Sequence, residues 1–176
     1  MKTPITISPL SGDEAQAHLA ELAGLLHACV HDGASISFVL PFTMEEAAEF
    51  WAKSVLPQVR AGTRVLLVAR QAGVLAGSVQ LDHDTPPNQP HRAEVRKLIV
   101  HPDFRRRGIA RALMAELETI AAKLGRSLIT LDTRTGDTAE PLYASMGYTT
   151  AGVIPGYARD PAGSRLDATT VMYKGI

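Results

Sequence analysis

The sequence predicts an α/β fold, in which short strands and amphipathic helices alternate along one domain spanning residues 1–176. Two observations carry this prediction. Short apolar runs rich in β-branched residues, such as 95–100, have the length and composition of buried strands. The segment 109–124 instead repeats its apolar residues at intervals of three and four, which is the spacing of one helix face. The residues of that face are Ile109, Leu113, Leu117, Ile120 and Leu124.

The first half of the chain is predicted to be a strand, two helices and a β-hairpin. Each helix opens with a capping box, in which Ser11 pairs with Glu14 and Thr43 pairs with Glu46. In chain order we predict a strand at 4–8, a helix at 12–30, a loop at 31–38, a helix from 44 that Pro57 kinks or ends, and strands at 64–70 and 74–82.

The second half of the chain alternates strands with helices. Gly125 and Gly147 each follow a helical segment, where glycine is a favoured stop. In chain order we predict a loop at 84–90, a strand at 95–100, a helix at 109–124, a strand at 127–132, a helix at 138–146, a strand at 148–153, a loop at 154–168 and a strand at 169–174.

The bulk properties are those of a globular chain, since 45% of the residues are hydrophobic and 20% are charged. The formal net charge of zero argues against a nucleic-acid surface and against electrostatic membrane binding. No apolar run approaches the roughly 18 residues that span a bilayer, and the N-terminus has no apolar signal core. Cys29 is the only cysteine, so no internal disulfide can form. We therefore expect a cytoplasmic protein.

A basic glycine loop joins the predicted strand 95–100 to the helix 109–124. The first N–H groups of a helix have no intrahelical partner and carry about half a positive charge. Three arginines at 105–107 oppose that charge, and a bound anion would remove the conflict. Gly108 lets the backbone approach the anion, and Ala110 keeps the next turn low. The loop therefore predicts a pyrophosphate site; the alternative is a basic helix end exposed to solvent.

This loop resembles the acetyl-CoA loop of the GCN5-related N-acetyltransferase (GNAT) family, whose pattern is Arg or Gln, two residues, Gly, one residue, then Gly or Ala. The sequence has Arg105, Arg106, Arg107, Gly108, Ile109 and Ala110 in that order. The resemblance implies that acetyl-CoA is the cofactor. It implies contacts to acetyl-CoA from this loop, Arg111, the backbone of Leu98, Ile99 and Val100, and also Thr138 and Tyr143.

The resemblance also makes the fold prediction more specific. The GNAT fold is an α/β (α+β) architecture with a mixed, mostly antiparallel central sheet flanked by helices. Its two central strands, which here carry Leu98 and Leu131, splay apart and admit the cofactor. On this basis residues 1–176 form a single N-acetyltransferase domain.

Acetyl transfer from a thioester to an amine needs a neutral amine, donors for the oxyanion and a proton for the leaving thiolate. The segment 142–148 resembles the family's motif of Leu-Tyr, three residues, then Gly and Phe or Tyr, which implies that Tyr143 supplies the proton. The alternative is a tyrosine that packs its helix onto the sheet. The sequence departs from the family at Gly136, where an asparagine often bonds the pantetheine arm; Asp137 or Thr138 is a substitute.

Glu94 is the candidate base, because many members of the family carry a glutamate at the start of this strand that deprotonates the amine through water. The alternative is a strand-end carboxylate paired with a neighbouring arginine. Asp132, at the C-terminal end of the next predicted strand, is the other candidate base. The two carboxylates would equally suit the binding of a cationic substrate. Backbone N–H groups at a strand irregularity are expected to serve the oxyanion.

Segments 30–38 and 154–173, together with 92–98 and 131–133, resemble the tabtoxin-resistance branch of the family. These enzymes acetylate the amine of a small amino-acid-like β-lactam toxin. The resemblance favours a small polar acceptor and makes His31, Asp32, Asp132, Tyr157 and Arg165 candidates for its pocket; the alternative is that they are solvated loop residues. His27 and His31 lie four residues apart without a third ligand at metal spacing, so no metal site is predicted.

We therefore expect an acetyl-CoA-dependent N-acetyltransferase that acts on the primary amine of a small polar molecule, in detoxification. Two alternatives stay open: a protein N-terminal or lysine acetyltransferase, and a non-catalytic acyl-CoA-binding sensor. The expected partner is the small-molecule amine, with no nucleic acid and no membrane. The oligomeric state is left open, with a homodimer as one alternative.

Overall fold

The computed structural model describes residues 4–176 and is built around a seven-stranded sheet in the order 1-2-3-4-5-7-6. The strands are β1 (Ile5–Leu10), β2 (Arg64–Gln71), β3 (Val74–Asp82), β4 (Arg92–Val100), β5 (Leu128–Arg134), β6 (Thr149–Arg159) and β7 (Leu166–Gly175). Among these strands only β4 and β5 are paired in parallel. The sheet is therefore mixed and mostly antiparallel, which confirms the predicted fold class.

Helices cover both faces of the sheet. They are α1 (Gly12–Ala17), α2 (Leu19–His31), α3 (Met44–Phe50), α4 (Leu56–Arg60), α5 (Ile109–Lys123) and α6 (Ala139–Ser145). Both predicted capping boxes form, since the hydroxyls of Ser11 and Thr43 accept from the backbone N–H groups of Glu14 and Glu46, whose carboxylates accept in return. No helix within residues 4–176 is long and apolar enough to cross a membrane.

The core has two parts, one on each face of the sheet. One part packs α5 and α6 against the sheet, with Leu113, Leu117 and Tyr143 among its buried residues. The other part packs α2, α3 and the turn after it against β2 and β3. Trp51 is fully buried there, and its indole N–H donates to the carbonyl of Leu22 over 2.9 Å. The sheet is thus fixed from both sides, which holds the strand positions that the site needs.

The predicted helix 12–30 is two helices, because the chain leaves helical geometry at His18, whose φ and ψ are −101° and 18°. The second predicted helix is also interrupted. Pro57 has no N–H to bond the carbonyl of Lys53, so a π-helical turn at Trp51–Val55 precedes α4, and Pro57 lies in the first turn of α4. These breaks let short helices wrap around one face of the sheet.

The predicted loop at 154–168 is wrong. Strand β6 runs to Arg159 and β7 starts at Leu166, so only a short turn separates them. The pairing register shifts between Ile154 and Ala158, and this irregularity accommodates Pro155 and Gly156 within an edge strand. Proline and glycine therefore mark a bulge here, not the end of a strand.

The two central strands separate partway along their length. Strands β4 and β5 pair over three residues only, Arg92 to Glu94 with Leu128 to Thr130. Beyond Glu94, β4 continues to Val100 with β3 as its only strand partner in the described residues. The backbone of this part of β4 faces an opening in the sheet, as the predicted splay requires.

Candidate active site

Strand β4 contains a bulge next to the opening. Its register with β3 shifts between Ser78 and Gln80, opposite Lys97 and Leu98. Lys97 has a φ of +51°, a left-handed conformation that is uncommon for a residue other than glycine. A bulge turns backbone N–H groups away from the regular ladder. This is the type of irregularity that the sequence analysis required for an oxyanion, although the sequence did not predict its position.

The predicted pyrophosphate loop connects β4 to α5 on the protein surface. Gly108 is the N-cap of α5 with a φ of +87°, so it provides no side-chain cap, and the first turn of α5 has no acidic residue. Arg106 is also left-handed, with a φ of +60°. The N-terminal N–H groups of α5 are thus open to an external acceptor, and three arginines precede them in the loop. This donor set fits a pyrophosphate.

Two of the three arginines are held by neighbouring groups. Arg105 donates from Nε to the carbonyl of Val100 over 3.3 Å and forms an ion pair with Asp32. Arg107 donates to Gln71 over 3.0 Å and to the carbonyl of Asp103 over 2.7 Å. The loop is therefore held by contacts to the ends of β4 and β2 and to Asp32, which follows α2.

Arg111 and Thr138 lie on the two helices that flank the opening. Arg111, in the first turn of α5, donates to the hydroxyl of Ser145 at the end of α6 over 2.6 Å. Thr138 is the N-cap of α6, and its N–H donates to Asp137 over 2.7 Å. Gly136, where the family often has asparagine, has a φ of +78° and donates its N–H to Glu140. The contacts of these residues to acetyl-CoA stay predictions.

Tyr143 is buried where α6 packs on the sheet, and its ring meets that of Tyr148 edge-on at 5.8 Å. Burial raises the pKa of its phenol above the ordinary value, and the charges of Asp132 and Asp137 raise the pKa further. The phenol keeps its proton at neutral pH, and burial makes it a weaker acid than a free tyrosine. The packing role is present in the structure, and the role as an acid stays a prediction.

Glu94 and Asp132 lie at the point where the central strands part. Glu94 pairs with Thr130 in the last residue pair that joins β4 to β5, and Asp132 is two residues further along β5. The sequence analysis placed Asp132 at the C-terminal end of its strand. In the structure Asp132 lies two residues before that end, because β5 continues to Arg134. It accepts from the hydroxyl of Thr169 over 3.2 Å.

Glu94 belongs to a chain of ion pairs along the same side of the sheet. Its carboxylate lies 3.3 Å from Arg96 and 3.9 Å from Arg92. Arg96 also pairs with Asp82 over 3.0 Å, and Asp82 pairs with Arg64 over 2.7 Å. The arginine pairing that the sequence analysis offered as an alternative is thus present. A paired carboxylate still accepts a proton through water, so the role as a base stays a prediction.

The four remaining pocket candidates are found on loops and on the β6–β7 hairpin. His31 ends α2, bonds the carbonyl of Phe42 over 2.9 Å, and its ring stacks on that of His27 at 4.0 Å. Asp32 is tied to Arg105 of the cofactor loop. Tyr157 is 55% exposed on β6, and Arg165 donates to Asp167 over 2.7 Å. The structure therefore gives His31 and Asp32 contacts within the protein and leaves Tyr157 exposed.

Two of these segments meet. The loop between α2 and α3 touches the β6–β7 turn, where the N–H of Leu40 donates to the carbonyl of Pro161 over 2.7 Å. No group of three or more His, Cys, Asp or Glu residues within 4–176 is arranged to hold a metal ion. The contact at Leu40 therefore joins the loop that contains Asp32 to the turn that contains Arg165.

Lys97 is a feature of the site that the sequence analysis missed. Its ammonium donates to the hydroxyl of Ser37 over 2.7 Å and lies 5.7 Å and 6.0 Å from the ring centres of Phe38 and Phe50. Burial lowers the pKa of Lys97 to about 8. The signal in the sequence was the lysine within an apolar strand, because a charge in a buried run indicates an irregular backbone or a functional position.

Comparisons with known proteins agree with this geometry. A profile described as the acetyltransferase (GNAT) family matches residues 29–148. An uncharacterised N-acetyltransferase from the hisH-hisA intergenic region of Azospirillum brasilense is 31% identical over 126 residues, which cover 70% of this chain and 72% of the relative.

Solved structures share the fold at lower identity. The yncA acetyltransferase of Salmonella typhimurium, solved with its cofactor acetyl-CoA, has a TM-score of 0.77 at 18% identity, covering 97% of this chain and 93% of its own. The ribosomal-protein-alanine N-acetyltransferase of Brucella melitensis has a TM-score of 0.78 at 21% identity, covering 97% and 99%. At these sequence identities the comparison shows that the proteins share a fold and shows nothing about shared substrates.

The splayed sheet and the open, basic N-terminus of α5 define an acetyl-CoA-dependent acetyltransferase. Since the family profile matches more than half of the chain, the protein belongs to the GNAT family of acetyltransferases. It is thus an enzyme that takes its acetyl group from acetyl-CoA, as the sequence analysis predicts.

Proposed function

We propose that this acetyltransferase acts on the primary amine of a small polar molecule. The observation that carries the proposal is the pair of carboxylates, Glu94 and Asp132, at the point where β4 and β5 part. An alkylamine has a pKa of about 10.4 and is almost entirely protonated at neutral pH. A carboxylate beside the acetyl donor both attracts such a cation and accepts its proton.

We infer that cofactor binding and proton transfer fall to different residues along the opening. The N–H groups at the start of α5, with the arginines of 105–107, would hold the pyrophosphate. The backbone of 98–100 would bond the pantetheine arm, and N–H groups at the bulge would face the acetyl oxygen. Bound acetyl-CoA supplies the acetyl group as a thioester. Tyr143 would return a proton to the sulfur, and Glu94, or else Asp132, would take one from the amine.

Two observations support a small acceptor over a protein. The contact of Leu40 with Pro161 links the α2–α3 loop to the β6–β7 turn, and we infer that these linked segments leave less room for a protein acceptor. Segments 30–38 and 154–173 resemble those of the tabtoxin-resistance acetyltransferases, which supports an amino-acid-like amine and a role in detoxification. The Brucella relative in fold is named for a protein acceptor, so the fold by itself fits either acceptor class.

The test is release of free thiol from acetyl-CoA with a panel of acceptors. The panel contains amino acids, polyamines and antibiotic amines, together with peptides that carry a free N-terminus or an internal lysine. We expect turnover with at least one small amine and none with the peptides. Faster turnover with a peptide would establish the protein-acceptor alternative. Tight binding of acetyl-CoA without turnover of any acceptor would favour the sensor alternative.

A further inference from the structure

We propose that Lys97 is a self-acetylation site, whose amine takes the acetyl group of bound acetyl-CoA when no acceptor is present. The inference uses the family's acetyl donor and goes beyond the proposed acceptor. It rests on where the β4 bulge places one lysine.

Lys97 lies beside the backbone that is expected to bind the cofactor. Lys97 is the residue of the bulge itself, on the part of β4 that has lost β5 as a partner. The adjacent residues 98–100 are those whose backbone is expected to bind the cofactor arm. The left-handed φ of Lys97 breaks the alternation of side chains along the strand. Its side chain therefore extends to α3 and to the α2–α3 loop, which also carries the pocket candidate Asp32.

The amine of Lys97 is held in place by its neighbours. Lys97 Nζ donates to Ser37 Oγ over 2.7 Å and lies over the rings of Phe38 and Phe50. Ser37 has a φ of +81°, so the loop holds a conformation unfavourable for serine while it presents this hydroxyl. A groove of about 550 Å³ lined by Ser37, Phe38 and Phe50 opens beside them. An anchored amine pays less entropy to reach a nearby electrophile than a freely moving one.

The surroundings of Lys97 affect how readily its amine gives up a proton. The charged groups that act on Lys97 are Arg96 and Glu94 on β4, Asp132 on β5 and Arg64 on β2. Burial has the largest effect and lowers the pKa of Lys97 to about 8. About a fifth of the side chains are then neutral at pH 7.4, against about one in a thousand for an ordinary lysine. A larger fraction of Lys97 than of an ordinary surface lysine is therefore neutral and able to attack a thioester.

The chemistry balances without a further reactant. The lone pair of the neutral Nζ attacks the carbonyl carbon of the thioester, the new C–N bond forms and the C–S bond breaks. The proton lost from nitrogen goes to the sulfur, directly or through Tyr143, and CoA leaves as the free thiol. The product is one N-acetyl-lysine per chain. Because an amide is not basic, Lys97 then carries no charge.

The test is the intact mass of the protein after incubation with acetyl-CoA and no amine, followed by mass mapping of its peptides. We expect the mass of one acetyl group, located on Lys97, with a rate that saturates as acetyl-CoA increases. Lys97→Arg is the matched variant, since a guanidinium keeps the charge but stays protonated. It should lose the modification while its far-ultraviolet circular dichroism stays that of the wild type.

An internal control separates enzymatic from chemical acetylation. Lys53 follows α3, has a side chain that is 73% exposed and forms an ion pair with Glu49. Direct reaction with free acetyl-CoA would mark such exposed lysines, with a rate that rises linearly with concentration. Modification spread over Lys53 and other exposed lysines, or of equal rate in Lys97→Arg, would overturn the proposal.

The failure of this inference is distinguishable from failure of the proposed function. A wild-type protein that acetylates small amines but leaves Lys97 unmodified overturns the self-acetylation site alone. A protein that modifies Lys97 but turns over peptides in place of small amines overturns the proposed acceptor alone. A protein that gains no mass and releases no thiol with any amine contradicts both.

Discussion

The rings of Tyr143 and its neighbour Tyr148 lie 5.8 Å apart, and only Tyr143 is proposed to act in catalysis. Burial raises the pKa of both phenols, so neither is ionised at neutral pH. The residues differ in their surroundings. Tyr143 is near Asp132 at the opening, whereas Tyr148 is near Glu118 and Lys174 on the side of α5.

Replacement of Tyr143 by Phe should lower kcat by about 10² to 10⁴, the usual contribution of a general acid. The phenol acts when charge develops on sulfur, so the Kd for acetyl-CoA should change little. Tyr148→Phe is the matched control and should leave kcat near that of the wild type. Steady-state kinetics together with calorimetric titration of acetyl-CoA makes the comparison. Equal losses in both variants would reduce Tyr143 to a packing residue.

Replacement of Glu94 by Gln should depress kcat/KM near neutral pH, and the deficit should shrink as pH rises. At high pH the acceptor amine is already neutral and needs no base, so the variant and the wild type should converge. Asp132→Asn is the parallel variant, and the measurement is the pH profile of both. If only Asp132→Asn changes the profile, Asp132 is the base. If neither variant changes the pH profile, the enzyme selects the small neutral fraction of the acceptor amine from solution. Both carboxylates then bind the substrate or support the structure.

The sequence reveals catalytic candidates that belong to local motifs, and it hides those that depend on register. Glu94 and Tyr143 each sit in a recognisable segment, and the structure places both beside the opening. The sequence shows Lys97 only as a charge beside an apolar run, and its place in the bulge depends on the β3–β4 register. The pairing of Asp32 with Arg105 joins residues 73 positions apart, so no local pattern could predict it.

At the scale of elements, the start of α5 is where local conformation and binding depend on one residue. Gly108 has a φ of +87° at the N-cap, and a Cβ there would meet no other group within 4 Å. A side chain at this position would be strained, at a cost of order 1–3 kcal/mol, and it would stand over the open N–H groups of the helix.

Replacement of Gly108 by Val should therefore weaken CoA binding severely, as measured by calorimetry, and should also lower the urea midpoint of unfolding. Gly24→Ala supplies a control, because Gly24 lies within α2, a Cβ there has free space, and alanine favours a helix by about 1 kcal/mol. It should bind CoA normally and unfold at a higher midpoint. Unchanged CoA affinity in Gly108→Val would refute the placement of the pyrophosphate.

Elements with strong local signals were predicted well, and those decided by distant partners were not. The capping boxes located the starts of α1 and α3 because side chain and backbone interact within three residues. The inner part of the β6–β7 hairpin, within 154–168, was predicted as a loop because Pro155 and Gly156 usually interrupt strands. The long pairing of β6 with β7 explains why β6 continues through these two residues.

At the scale of the whole molecule, the β6–β7 turn helps to link the end of the sheet to the helical face. Asp160 organises this turn by accepting from the N–H groups of Arg165 and Ser164 and from the Ser164 hydroxyl. The adjacent Pro161 accepts from Leu40. The pKa of Asp160 is held below its ordinary value first by the N–H of Arg165 and then by the N–H and the hydroxyl of Ser164.

A carboxyl with a depressed pKa in the folded state stabilises the fold above its unfolded pKa of about 3.9, and the contribution is lost as pH falls below that value. Asp160→Asn should therefore lower the unfolding midpoint at pH 7, and the gap from the wild type should narrow as pH falls below about 4. Urea titrations over a pH series provide the measurement. Asp13→Asn is the control, since the Asp13 side chain is 98% exposed. A gap that is constant with pH would contradict the role given to Asp160.

The short contact between β4 and β5 has a mechanical consequence. Four strands on one side and three on the other are joined by three residue pairs, so the sheet is two half-sheets with a weak seam. A ligand that bonds the backbone of β4 beyond Glu94, on the side that β5 leaves unpaired, extends the ladder there and ties the halves together. Amide hydrogen exchange along 95–100 and 131–134 should slow on CoA binding, and the fold should gain about 2.7 kcal/mol at a concentration of 100 Kd. The cofactor would then act as a missing strand as well as a reactant.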